Sequence, residues 1–208
     1  MTMSAGRTMM GFDKFSNKFV TDKLGEDMAK IVRQHAIAST FASVASAVPG
    51  AGTVACVVAQ TAIVYTMYVR MNSALGIRLS KNIVKSIASA VIANIATNAI
   101  TVIGGIAAST ALSLIPGAGS AASAVLMCGI SYATVMIAGI VYAKTLSALY
   151  KSKRKIETMT EDEIKQAVKE ELKKRDINKD IKAFSREYRT EKKNGAFENT
   201  EPVELEAM

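Results

Sequence analysis

No acidic residue occurs between Asp27 and Glu157, and between Arg33 and Lys144 the only basic residues are Arg70, Arg78, Lys81 and Lys85. Two long windows therefore carry no formal charge: 34–69, which is 36 residues, and 86–143, which is 58. A helix at a protein surface places charged or polar side chains on its outer face every turn or two, because too little apolar partner surface exists to cover it all round. These windows offer no such face. Each is long enough for a pair of bilayer-crossing helices, which need roughly 20 apolar residues apiece, once it is divided at its proline.

The division falls at a repeated motif. VPGAG at 48–52 returns as IPGAG at 115–119. Superposing 36–68 on 103–135 matches the four turn residues and also Ser46 with Ser113, Ala55 with Ala122, Val58 with Val125, Ile63 with Ile130 and Tyr65 with Tyr132, nine identities in 33 positions. The pattern is that of an internal duplication. Pro49 and Pro116 disfavour helix in the preceding residue and suit a helix's first turn, while Gly50, Gly52, Gly117 and Gly119 supply turn geometry. The spacing predicts helices over 28–47, 53–75, 82–114 and 119–150, two helix-turn-helix hairpins in the same orientation.

The glycines also fit a dinucleotide-binding pattern, G-x-G-x-x-G/A. That chemistry requires a strand entering the glycines and an acidic residue about 20 positions later for the ribose. A proline precedes each first glycine, FASVASAV has no strand alternation, and no acidic residue lies at the required distance. Neither copy ends in the Lys-Ser/Thr of a phosphate-binding loop. His35 is the single histidine and has no acidic neighbour to orient it; Cys56 and Cys128 stand apart in apolar segments, as small hydrophobes do. The chain thus reads as non-enzymatic, with no catalytic residues, cofactor or metal.

The basic residues give the hairpins an orientation. Lys30 and Arg33 precede the first; Arg70, Arg78, Lys81 and Lys85 join the two; Lys144, Lys151, Lys153, Arg154 and Lys155 follow the second. All basic ends fall on one side and both uncharged turns on the other, which by the positive-inside rule predicts an inner-membrane protein with both termini cytoplasmic. Residues 34–143 carry 4 basic and no acidic residues, whereas 144–208 carry 16 and 14, so the excess lies beside the apolar segments. That distribution suits anionic headgroups and lacks the basic, aromatic-studded face of a nucleic-acid binder. Tyr65, Tyr68 and Tyr142 near the basic ends suit either an interfacial belt or a packed core.

Arg33 to Pro49 leaves only 15 residues, QHAIASTFASVASAV, so the first hairpin is compatible with a re-entrant as well as a spanning path. Within the apolar segments Gln60, Asn94, Asn98 and Thr101 are polar groups that either bond between helices or line a pathway in an oligomer. Ser39, Ser43 and Ala47, like Gly105, Ser109 and Ser113, recur every four residues and permit close helix approach. The N-terminal MTMSAGRTMMGFDKF has no apolar run before its charges and does not read as a cleavable signal. Phe12, Phe15 and Phe19 recur among lysines, an amphipathic pattern for a membrane surface or a packed cytosolic helix. Thr160-Glu161-Asp162-Glu163 is a capping box, after which Ile164, Val168 and Leu172 form one apolar stripe.

The expected organisation is a basic N-terminal segment (1–29), an apolar four-helix membrane domain (30–150, hairpins 30–77 and 82–150), a charged cytosolic helical arm (151–192) and a disordered tail (193–208). Ala74-Leu75-Gly76-Ile77-Arg78-Leu79, Lys81-Asn82-Ile83-Val84-Lys85, Leu114-Ile115-Pro116-Gly117-Ala118-Gly119 and Ser131-Tyr132-Ala133-Thr134 make residues 30–150 resemble the YcjF-type membrane domain of unknown function. That family occurs in bacterial membrane proteins, often fused to or encoded beside GTPase domains. The resemblance implies a helical membrane-associated module and supplies no catalytic residues; with no GTPase domain read in this sequence, a GTPase partner would have to act in trans. The resulting expectation is an all-α, non-enzymatic membrane anchor or adaptor for a cytosolic partner. Two alternatives stand beside it: an oligomeric pore-forming or ion-conducting effector, and a soluble Ala-rich helical bundle.

Overall fold

The computed structural model describes residues 22–45, 52–109, 118–152, 155–195, 197 and 203–205. Six α-helices account for nearly all of them: α1 Asp22–Ala45, α2 Gly52–Leu75, α3 Lys81–Ser109, α4 Ala118–Lys151, α5 Glu161–Lys173 and α6 Ile177–Lys193. Among the described residues there is no sheet. Of the predicted P-G-A-G turns, Pro49, Gly50, Pro116 and Gly117 lie outside the described residues; the flanking helices end at Ala45 and Ser109 and resume at Gly52 and Ala118.

Local chemistry fixes the ends. After Leu75 the chain turns at Gly76, whose φ of 68° lies in the left-handed region. There Gly76 N–H donates to Ser73 O at 3.1 Å and Ile77 N–H to Asn72 O at 2.9 Å, the paired bonds of a glycine-terminated helix. Ser80 starts α3, its Oγ accepting from Ile83 N–H. The capping box before α5 forms in full: Thr160 Oγ1 accepts from Glu163 N–H while the Glu163 carboxylate accepts from Thr160 N–H. Asp176 caps α6 through Lys179 N–H.

Cross-helix contacts set the topology. A side chain on Gly139 of α4 would meet Val32 of α1, and Cys128 Sγ lies 3.5 Å from Thr40 O, so α1 and α4 run antiparallel. Gln60 bonds Ser131, Tyr68 bonds Ala138 and Tyr142 bonds Asn72, so the repeat-equivalent helices α2 and α4 run parallel. Their contacts pair residues 70 or 71 apart, about one helical turn from the 67-residue offset of the sequence repeat. A helix-turn-helix unit used twice thus packs its second helices side by side.

The centre of this arrangement is α4. Every residue from 128 to 143 is buried. α1 packs along it most extensively, and α6 nearly as much, with α5, α2 and α3 completing the enclosure. α5 buries Ile164, Val168 and Leu172; α6 buries Ile177, Ile181, Ser185, Tyr188 and Glu191.

The described residues form an all-α bundle in which the other helices enclose α4. Residues 161–193 fold back as an amphipathic pair over α3 and α4. By length and composition one helix among the described residues, Ala124–Lys151, is able to cross a membrane, and 78% of its most apolar stretch is buried inside the protein. The charge-free surface that sequence patterning assigns to lipid is, for α4, surface covered by other helices. Phe197, four residues into the tail expected to be disordered, packs its ring against Tyr188 at 5.4 Å.

Candidate functional site

Three groups of residues carry polar chemistry, and the fold separates them. At one end of the bundle the α2–α3 connection brings Arg70, Arg78, Lys81 and Lys85 into solvent. The parallel run of α2 and α4, with Tyr142 Oη donating to Asn72 Oδ1 at 2.9 Å, carries Lys144, Lys151 and Lys155 to the same end. Of these cations only Lys144 is half-buried; the others are exposed. Lys153 and Arg154 lie outside the described residues. At the opposite end Phe41 and Val58, flanking the first turn, are 66% and 59% exposed.

The intramembrane polar candidates scatter. Gln60 is buried, its Nε2 donating to Ser131 Oγ at 2.7 Å and tying α2 to α4. Asn94 and Asn98 face outward instead, and Asn98 Nδ2 donates to Asn94 O on its own helix at 3.0 Å. They border a groove of about 440 Å³ shared with Lys169, Lys173, Arg175 and Asn178 of the α5–α6 elbow. Arg175 pairs with Asp180 at 2.7 Å and Lys173 with Glu170 at 3.0 Å, which neutralises much of the groove's positive charge. The side chain of Thr101 is outside the described residues. Gly52 and Gly119 lie in the first turns of α2 and α4, and the residues leading into those helices lie outside the described residues.

The third group is the seam between α6 and the α1–α4 pair. Arg33 of α1 reaches Glu191 of α6 at 2.9 Å, and the Glu191 side chain is 1% exposed. Burial raises the Glu191 carboxyl above its ordinary pKa; Arg33 pulls it down and Glu187 pushes it up again. Tyr132 Oη donates to Glu187 at 3.4 Å, and the rings of Tyr132, Tyr188 and Phe197 meet in one cluster. Gly129 permits close approach: a Cβ there would stand 3.4 Å from Ser185 Cβ. No charge-pattern reading finds this seam, because Arg33 and Glu191 are 158 residues apart. The apolar stripe Ile177, Ile181, Tyr188 on α6 is the one local signal for it.

Inside the bundle, His35 is fully buried, and its Nδ1–H donates to Ile31 O at 2.7 Å. Its Nε2 has no partner among the described residues. Desolvation, opposed by the Ile31 bond and reinforced by nearby Arg70, lowers its pKa to about 4. His35 therefore stays neutral and packs. Tyr68 and Tyr142 stack at 3.9 Å, both phenols driven upward in pKa chiefly by burial. Among the described residues no three His, Cys, Asp or Glu side chains gather in the manner of a metal site.

No protein-family model, curated protein or solved structure matches the chain, so the YcjF-type resemblance rests on its short motifs alone.

Proposed function

We propose that this protein is a non-enzymatic helical module that folds with its charge-free helices sheathed by amphipathic ones, and docks on anionic membrane surfaces through its basic end. The observation that carries the reading is the position of α6. This helix, with exposed Lys179, Lys182, Arg186, Arg189, Lys192 and Lys193, lies along the middle of α4, where a spanning helix would face lipid. Placing that flank in a bilayer core would strip water from at least six cations, at a cost of roughly 2.5–3.5 kcal/mol each even on permissive scales. The sheathed bundle avoids that cost in water.

The end presenting Arg70, Arg78, Lys81, Lys85, Lys151 and Lys155 supplies the contact. Each basic residue near an anionic surface contributes about 1 kcal/mol. Sedimentation with vesicles tests the reading. Binding is expected to phosphatidylserine-containing vesicles and not to neutral ones, with release by about 0.5 M salt and no detergent. Reversing three charges, Arg78→Glu, Lys81→Glu and Lys85→Glu, is expected to weaken binding by on the order of 100-fold or more. Equal binding to neutral vesicles, or release only by detergent, rules the reading out.

A further inference from the structure

We infer that α5 and α6 form a removable cover, and that the hairpin of α3 and α4 inserts into an anionic bilayer when the cover swings away. The inference rests on the peripheral docking just proposed and adds a second, deeper stage of membrane binding.

The covered element meets the requirements for insertion. α3 has 29 residues and α4 has 34. At 1.5 Å per residue these are roughly 43 and 51 Å, more than the ~30 Å hydrocarbon thickness. Residues 86–143, most of both helices and the segment between them in the sequence, carry no charge. The flanking Lys81, Lys85, Lys144 and Lys151 all sit at the basic end, where headgroups would hold them.

Five polar side chains of these helices bond within their own helix, whereas Ser131 and Tyr142 bond Gln60 and Asn72 of α2 and would have to exchange those partners on insertion. Ser89 donates to Lys85 O, Thr97 to Ala93 O, Asn98 to Asn94 O, Thr134 to Ile130 O and Thr145 to Val141 O, each within one turn of its own helix. Such bonds survive transfer into lipid, where an unsatisfied polar group is costly.

The cover is held differently. Of five buried side-chain polar atoms without a partner among the described residues, three belong to α6: Asn178 Oδ1, Ser185 Oγ and Glu191 Oε1. Unsatisfied buried groups weaken an interface, so α6 is attached less favourably than its apolar stripe alone would give. Its one buried ion pair depends on Arg33, whose side chain is itself 28% exposed. An anionic headgroup that takes Arg33 leaves the Glu191 carboxylate buried and uncompensated, which favours departure of α6.

The 3.4 Å between a Cβ at position 129 and Ser185 Cβ lies close to disulfide geometry. It permits a reversible lock. In full-length protein with Cys56→Ala and Cys128→Ala, the pair Gly129→Cys and Ser185→Cys is oxidised or reduced before addition to phosphatidylserine-containing vesicles. Two readouts are taken: sedimentation with the vesicles, and the fraction retained after alkaline carbonate washing, which strips peripheral but not inserted protein.

Both forms are expected to sediment, with carbonate-resistant retention at least tenfold higher for the reduced form. Arg33→Ala, without engineered cysteines, is expected to raise retention over the unsubstituted protein in the same direction, and covers the case in which the cysteine pair fails to fold. Equal retention of the oxidised and reduced forms overturns the cover. Sedimentation of both with no retention of either overturns insertion while leaving peripheral docking intact. Failure of both to sediment overturns the docking itself, and insertion with it.

Discussion

Acidification is expected to destabilise the bundle through one side chain, His35, by an amount that its surroundings set. In the folded protein its Nδ1–H is committed to Ile31 O and its Nε2 has no partner among the described residues, so a proton added at Nε2 would be buried without an acceptor there. The pKa falls from 6.5 to about 4. Because the folded value is the lower one, the unfolded chain takes up the proton first. Stability is therefore full above pH 6.5 and declines as the pH drops toward 4. Linkage over that interval gives a loss of about 2 kcal/mol at pH 5 and about 3 kcal/mol at pH 4. For a chain of this size that is a fall in Tm on the order of 10 °C. The measurement is urea unfolding followed by circular dichroism at pH 7, 5 and 4, for the wild type and for His35→Gln, whose amide can still donate to Ile31 O. Titration of the exposed carboxylates is common to both proteins and cancels in the difference. The wild type is expected to lose about 3 kcal/mol more than the variant between pH 7 and 4. Parallel loss in the two proteins refutes the assignment of the acid sensitivity to His35.

Four further outcomes follow from named contacts. Gly139→Ala forces a methyl to within 2.6 Å of both Val32 γ-carbons and is expected to cost about 1–3 kcal/mol in unfolding free energy, read by urea titration. Tyr142→Phe leaves buried Asn72 without the hydroxyl that bonds its Oδ1, and is expected to cost about 1–3 kcal/mol in the same assay. Thr160→Ala removes the capping hydroxyl of α5 and is expected to cost about 1 kcal/mol, visible as faster amide exchange over 161–165. For Glu191 the sign is opposite to that of His35. Its carboxyl is raised, so its contribution to docking is fullest below pH 4.5 and is lost as the pH rises through the elevated value. Glu191→Gln is accordingly expected to slow amide exchange in α6 at pH 8 and to match the wild type at pH 4; faster exchange at pH 8 counts against a net cost of ionisation.

Much of the architecture was legible along the chain. The four long helices fall where the proline-glycine turns and charge gaps place them, and the Thr160 capping box and the Ile164, Val168, Leu172 stripe are both formed. Those are local features: a cap, a turn and a helical stripe depend on residues within a turn or two of each other. The duplication was legible as well, and reappears as the parallel pairing of α2 with α4. The seam was hidden, because it joins Arg33 to Glu191 across most of the chain and Tyr132 to Tyr188 between separate helices. Asn94 and Asn98 were legible as one polar face, while only packing turns that face toward the α5–α6 elbow.

The sequence by itself determined that the helices of residues 34–143 could not display a charged outer face, and that their basic flanks would gather at one end. It did not determine what covers the apolar surface. A helix apolar all round is either a membrane span or the centre of a helical core, and the two have the same composition and period. Only the tertiary structure shows what lies against α4, with α1 on one side of it and the charged α6 on another. The physical reason is that hydropathy records what a residue avoids, which is water, whereas the identity of the apolar neighbour is set by contacts between segments far apart in the chain.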